Sequence, residues 1–227
     1  MSAVLRDRKS MPPRQAKTQE VERASSGREN ILREAATLFA TKGYAESGLR
    51  EIAEMAGVRA ATVYHHFASK EKIYEAIIRI ALDAISAAVT AELLALPLDA
   101  APRMRIEASI AGHLRAVHTN KPFTSTNAHS RIKVPQEVNS VVGQIREQYS
   151  EFWRVMLEAA QAAGSFKPGI EPKMLRPLML STLNRTLGWF DPRKGSLEIL
   201  TRTVVTMFSG IWNESDLAKT RVRKRNA

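Results

Sequence analysis

The chain reads as an all-α protein, and three observations carry that reading. Apolar residues recur at helical period along nearly its whole length. Gly43, Gly57, Pro97 and Gly164 punctuate the periodic segments where helices are expected to stop. No segment shows strand alternation bounded by hairpin turns.

The elements follow in order. "SGRE" offers Ser26 as an N-cap with Glu29 three residues on, a capping box, and Ile31, Ala35, Leu38 and Phe39 then share a face. Gly43 suits the left-handed position that ends this helix. A short second helix turns Leu49, Ile52 and Ala53 inward, Gly57 breaks it, and a short third helix runs to about Phe67. Ser69 caps a long fourth helix carrying Ile73, Ile77, Ala81, Ala84 and Val89, which "LPLDAAP" stops. Ile106, Ile110, Leu114 and Val117 form the next stripe, and "NKPF" reads as a loop. Val138, Val142, Ile145, Tyr149, Phe152 and Met156 make the longest amphipathic stripe, ended by Gly164 and "KPGIEP". Two further helices, about Pro172–Phe190 and Ser196–Ser215, are joined by "DPRKGS". The expected organisation is a disordered basic arm over 1–25, a helix-turn-helix domain over 26–72, a helical domain over 73–216 and a basic tail over 217–227.

Composition narrows the function classes. At 227 residues with 44% hydrophobic residues, the chain can build a real core. A formal net charge of +11 and a pI near 10.2 favour a polyanionic partner, either nucleic acid or an anionic membrane. No helix pairs a lysine-rich face with an uncovered apolar one, which disfavours the membrane surface. With 0 cysteines there is neither a disulfide framework nor a thiolate metal site. No apolar run approaches membrane-spanning length and the first residues lack the apolar segment of a secretory signal, so a cytoplasmic location is expected.

The segment "SGLREIAEMAGVRAATVYHHF" supplies the parts of a helix-turn-helix: a short helix, a glycine turn, and a second helix able to enter a major groove. Ile52, Ala53 and Val58 anchor the first helix and the turn. Val63 and Phe67, one turn apart, face inward and leave Thr62, Tyr64, His65 and His66 for the polar face. Adjacent side chains on a helix diverge by about 100°, so His65 and His66 do not form an easy chelating pair. His113, His118 and His129 are scattered, and no metal set, catalytic triad order or phosphate loop stands out. No cofactor, metal or catalytic residue is therefore expected. A constitutive DNA-binding protein without an effector, and a helical enzyme with an appended helix-turn-helix, remain the alternatives.

Gly43-Tyr44, Ile52-Ala53, Ala56-Gly57-Val58, Thr62-Val63-Tyr64, His66-Phe67 and Ser69-Lys70-Glu71, in that order and spacing, resemble the DNA-binding domain of TetR-type transcriptional regulators. The resemblance covers about Ser26 to Ile77. It implies a homodimer that reads a palindromic operator in double-stranded DNA and carries a ligand-binding helical domain. It also implies that Tyr64, His66 and Lys70 meet phosphates, while Arg50, Arg59, Thr62 and His65 reach base edges or nearby backbone. Two positions depart from the family pattern. Gly48 stands where a hydroxyl caps the second helix, a duty Ser47 is expected to assume. Arg59 stands in place of a capping serine and brings a charge able to reach phosphate or guanine.

In the helical domain, Leu197, Leu200, Val204, Phe208 and Ile211 form a stripe suited either to an intersubunit four-helix bundle or to closing the monomer core. His113, Phe123, His129, Trp153, Met156, Met179 and Asn184 are candidates for lining a cavity, although each equally suits a core or surface role. Arg185 and Trp189 are four apart, a spacing that places them on one helix face, where a cation beside an aromatic suits an anionic ligand with an apolar body. "NRTLGWFDPRKG" also resembles the C-terminal signature of TetR-type repressors of fatty-acid and sterol-ring catabolism, whose effectors are acyl-CoA thioesters. That resemblance implies Arg185 on phosphate or carboxylate and Trp189 against the acyl or ring portion. The competing reading is an interface tryptophan beside an exposed arginine.

Overall fold

The structure, a computed structural model, describes residues 13–128 and 134–213, with side chains from residue 26 onward. Among these residues the order is α1 (Pro13–Thr41), α2 (Leu49–Met55), α3 (Ala60–His66), α4 (Lys70–Leu94), α5 (Pro102–Thr119), α6 (Lys121–Ala128), α7 (Gln136–Ala162), α8 (Pro172–Arg185) and α9 (Leu197–Met207). Short 3-10 turns follow α8 (Thr186–Gly188) and α9 (Ser209–Ile211). Among the described residues the extended pairing is limited to one antiparallel bridge, Phe166 with Trp212. None of the described helices is long and apolar enough to cross a membrane.

The helix boundaries confirm much of the pattern. Ser69 caps α4 by accepting from the Lys72 N–H, and Ser196 caps α9 by accepting from Ile199. Gly43, Gly57 and Gly164 all adopt positive φ, at 98°, 64° and 68°, in the turns where the chain reverses.

Three expectations are corrected. α1 begins at Pro13, so Ser26 and Glu29 lie inside it and form no capping box at its start. The residues before Ser26 are mostly strong helix formers behind a proline at the first helical position, and a helix needs no apolar stripe to form from such residues. "NKPF" is not a loop but opens α6. That helix was hidden because Thr124, Ser125 and Thr126 are its buried residues, the two threonines donating to the Val117 and Ala36 carbonyls at 2.6 and 2.9 Å. The last two helices are also shorter than expected, each finishing in a tighter 3-10 turn. The basic tail and residues 1–12 lie outside the described residues.

α4 is the spine. Ile73, Ile77, Ile78, Ala81, Ile85 and Val89 are buried along it, and it packs against α1, α5, α6 and α7. Its closest neighbour is α5, where Gly112 allows the backbones to touch. A Cβ there would lie 2.7 Å from the Val89 Cα.

Candidate nucleic-acid interface and helical-domain cavities

α1, α2 and α3 share a core of Ile31, Phe39, Ile52 and Val63, all fully buried. The turn between α2 and α3 is held from α1, because the Asn30 side-chain amide donates to the Ala56 carbonyl at 2.8 Å. With Val63 facing inward, α3 presents Tyr64, 58% exposed, together with exposed His65 and Arg59. Thr62 and His66 are half-buried, and Arg50 is exposed on α2. Arg59 occupies the N-cap of α3 in extended conformation and makes no side-chain cap bond, so its guanidinium is free of that duty. The His65 and His66 rings meet edge to face, with centroids 5.3 Å apart. His66 lies against α1 near Gly27, and its pKa is lowered first by burial and then by the neighbouring His65 and Arg28.

Two residues expected at phosphate have intramolecular partners. Ser47 does not cap α2. Gly48 is the N-cap without a side-chain bond, and the buried Ser47 hydroxyl donates back to the Gly43 carbonyl at 2.5 Å. The hydroxyl sits one residue too early to reach the α2 N–H groups and closes the preceding turn instead. Lys70 donates to the Tyr44 and Ser47 carbonyls, both at 2.9 Å, and lies over the Tyr44 ring. The Tyr44 hydroxyl in turn donates to Glu71 at 2.8 Å. This latch ties the α1–α2 turn to the first turn of α4. Sequence reasoning missed Asn30, Tyr44 and Glu71 because their partners lie 26 or 27 residues away.

In the helical domain, His113 is fully buried between α7 and α8. The Tyr149 hydroxyl donates to its Nδ1 at 2.8 Å, and its Nε2–H donates to Asn184 Oδ1 at 3.3 Å. Burial pushes the His113 pKa down to about 4, so the imidazole is neutral. His118 reaches Thr186 at 3.0 Å through Nε2, while its Nδ1 is buried without a partner. Trp153 Nε1 is likewise buried and meets no acceptor in hydrogen-bonding geometry; the nearby Tyr149 hydroxyl is turned to His113. Met179 is fully buried, Phe123 half-buried, and His129 lies outside the described residues. His113, Trp153 and Met179 therefore belong to the packed interior, and Asn184 is half-buried at its edge.

Two cavities are lined mainly by other residues. One of about 180 Å³ sits between α4 and α7, lined by Arg79, Ser86, Thr90, Gln148, Tyr149 and Phe152 among others. A second, of about 560 Å³ and largely apolar, sits where the end of α4, the start of α5 and α7 meet. Of the cavity candidates named from sequence, only Met156 lines either of them. A signal for the others was present in the α7 stripe, since Phe152 and Met156 are its half-buried members.

Of the two roles open to the C-terminal stripe, its residues take the one inside the protomer. Leu200 and Val204 are buried and Leu197, Phe208 and Ile211 pack on the core, so that stripe closes the protomer. The apolar side chains these helices leave open are Met174, Leu178, Ile199 and Met207, joined by Trp189 at 66% exposure. Arg185 and Trp189 do not share a regular helix face, because α8 ends at Arg185 and a 3-10 turn precedes Trp189. Both are exposed, and the cations over aromatic rings among the described residues are Arg28, Lys70 and Arg103.

A three-helix unit with an outward third helix after a glycine turn, joined by one long helix to an all-helical domain, defines a helix-turn-helix transcriptional regulator. The chain belongs to the tetR family. Residues 31–77 match the family model "Bacterial regulatory proteins, tetR family", and residues 99–210 match "Tetracyclin repressor-like, C-terminal domain". It is similar to the HTH-type transcriptional repressor KstR2 of Rhodococcus jostii, with 29% identity over 177 residues covering 74% of this chain and 81% of the relative. Among solved structures, the TetR family regulator PfmR from Thermus thermophilus aligns with a TM-score of 0.66 and 28% identity over 81% of this chain and 96% of its own. AibR, solved with isovaleryl coenzyme A and operator DNA, shares the fold with a TM-score of 0.70 at 22% identity, over 82% of this chain and 100% of its own.

Proposed function

We propose that this chain is a homodimeric repressor that holds a palindromic operator and releases it when a small-molecule effector enters the helical domain. The observation that carries the DNA half is the outer face of α3, where Arg59, Tyr64 and His65 project from a helix whose other side is locked by Val63. Arg50, Arg59, Thr62 and His65 take base edges or adjacent backbone, and Tyr64 and His66 take phosphates. Lys70 holds the α1–α2 turn through two of its three N–H donors and offers the third to a phosphate. Ser47 contributes by shaping that turn.

Dimerisation through the open apolar side of α8 and α9 sets two recognition helices about one turn of DNA, roughly 34 Å, apart. Leu178→Glu should then leave the fold intact and convert the dimer to monomers in sedimentation. A dimer that persists would place the interface elsewhere.

The cavities favour an effector-responsive protein over a constitutive DNA binder, whose helical domain would be filled. The effector class we propose is an acyl-CoA thioester, on the resemblance of "NRTLGWFDPRKG" to repressors of fatty-acid and sterol-ring catabolism. Binding beside α4 shifts that helix, and the latch of Lys70, Tyr44 and Glu71 carries the shift to α2 and α3. Footprinting of the DNA upstream of its own gene, with and without isovaleryl-CoA and longer acyl-CoA thioesters, tests the reading. Two protected half-sites should appear and then vanish with thioester. Absence of protection without thioester would overturn the repressor reading, and protection indifferent to every thioester would overturn the effector class.

A further inference from the structure

We infer that the C-terminal tail of this chain, residues 214–227, runs back along α7 and covers the apolar groove between α4, α5 and α7. The tail is then a cover built into the chain, which any molecule entering the groove must displace. This role goes beyond the effector reading above and does not depend on it.

Leu93, Phe152, Val155, Met156 and Ala159 give the 560 Å³ groove its apolar wall. Its surroundings are apolar as well. Leu94 is 81% exposed and Leu98 99%, and Val155 on α7 is exposed too. Contiguous apolar surface of this kind marks a place that something covers. Beside Val155 runs an acidic rail, because Glu147, Glu151 and Glu158 recur at helical spacing on α7. Arg154 bonds both Glu151 and Glu158, and Arg176 stands 3.8 Å from Glu147, whose side chain is 68% exposed. Three carboxylates against two guanidiniums leave the rail negative.

The described residues end at Asn213, beside this groove. Trp212 is buried against Phe166, with ring centroids 5.2 Å apart. The Asn213 N–H donates to the Ser165 carbonyl at 2.9 Å, and its side-chain amide donates to the Phe166 carbonyl at 2.8 Å. The Ser165 N–H in turn donates to the carbonyl of Ala160, which lines the groove. Residue 214 therefore starts at the groove's end. That end is also the Leu93 end of α4, about 35 Å along the helix from Lys70, so the tail's cations do not start beside the recognition unit.

The order of residues in the tail suits the path. Glu214 and Asp216 come first, where the start of α5 sets Arg103 over the Trp212 ring and Arg105 in the lining. Leu217 and Ala218 follow, then the cations Lys219, Arg221, Arg223, Lys224 and Arg225. An extended chain advances about 3.3 Å per residue and a helix about 1.5 Å. Leu217 thus reaches about 13 Å from Asn213, enough for Val155, about 11 Å back along α7 from Ala162. Lys219 and Arg221 reach about 20 and 26 Å, enough for Glu151 and Glu147 at about 17 and 23 Å.

The chain has 0 cysteines, so disulfide trapping in the full-length protein reads the contact directly. Leu217→Cys is combined with Val155→Cys in one variant and with Lys167→Cys in another. Lys167 is exposed, and its N–H donates to the Ile211 carbonyl, so it lies within the tail's reach but outside the groove lining. Under mild oxidation the Val155 pair should close within one chain about tenfold faster than the Lys167 pair. Adding Glu147→Lys should slow that closure about threefold, since it puts a cation where Arg221 arrives. Truncation after Asn213 should raise the fluorescence of Nile red on the protein, because the apolar groove is then open. Equal closure of the two pairs would overturn the docking, and so would a disulfide joining two chains, which would give the tail to a second copy. Closure indifferent to Glu147→Lys would overturn the path along α7. Dye fluorescence unchanged by truncation would mean that the groove was never covered. Thermal melting checks each variant, and the trapping and the truncation use different chains, so a fold lost in one leaves the other decisive.

Discussion

His65 and His66 close the recognition helix, one exposed and one half-buried, while His113 and His118 are both buried in α5. The same side chain serves opposite ends in the two places. At the end of α3 an imidazole can gain a proton and a phosphate together. In α5 each imidazole must stay neutral, because its Nε2 is committed to a neutral partner in a site that disfavours charge. Acid should therefore strengthen one region's interaction with DNA and weaken the other region's packing.

The largest expected effect is on stability. The His113 pKa is depressed from 6.5 to about 4 in the folded state, so the native protein binds fewer protons than the unfolded chain across that window. The contribution is fully present above pH 6.5 and is lost as pH falls toward 4, by up to roughly 3 kcal/mol. His118, lowered first by burial and then by Lys121, acts in the same direction. Urea titrations at several pH values check this, and a His113→Gln variant should show a visibly flatter profile. An unchanged profile in that variant would mean that other groups carry the acid sensitivity.

Gly112→Ala comes next. The added methyl meets the α4 backbone, so the crossing that buries His113 must open, at about 1–3 kcal/mol. Thermal melting gives the answer, and a neutral result would show that α4 and α5 can separate freely. Tyr149→Phe should cost about 1–2 kcal/mol, since it leaves His113 Nδ1 buried without its donor. The smallest effect lies on the DNA side. His66→Gln should reduce the gain in operator affinity between pH 8 and pH 5.5, and lower the salt slope by about 1 at the acid end only. If His66→Gln keeps the full gain, His66 is not the backbone contact and the contrast between the two histidine pairs fails. Lys70→Ala offers a bridge between the regions. It should lower the melting temperature and the salt slope together, because the ammonium holds the Tyr44–Ser47 turn and is the proposed donor to a phosphate.

The two regions also differ in how much of them was readable beforehand. The recognition unit was legible because its parts are neighbours in sequence. Ile52, Gly57, Val63 and Ser69 each announce a helix face, a turn or a cap within one or two helical turns. Ser47 misled because a hydroxyl beside a helix start can close the turn before it as readily as cap the helix after it. In the helical domain, His113, Tyr149 and Asn184 meet across 36 and 71 residues, and no local period encodes such a meeting. α6 escaped notice because threonines fill its buried side. Arg185 and Trp189 kept their spacing but lost their common face when the helix tightened into a 3-10 turn.

By itself the sequence determined the all-helical class and the helix-turn-helix. Helical period, glycine turns and serine caps act over a few residues, and the chain carries them in plain order. The tertiary structure alone decided which polar groups are buried together and which apolar side of α8 and α9 stays open. It also decided that space remains beside Phe152 and Met156. Cavities and buried networks depend on how several helix faces fit, and a single residue at the crossing, such as Gly112, changes that fit without changing any helix.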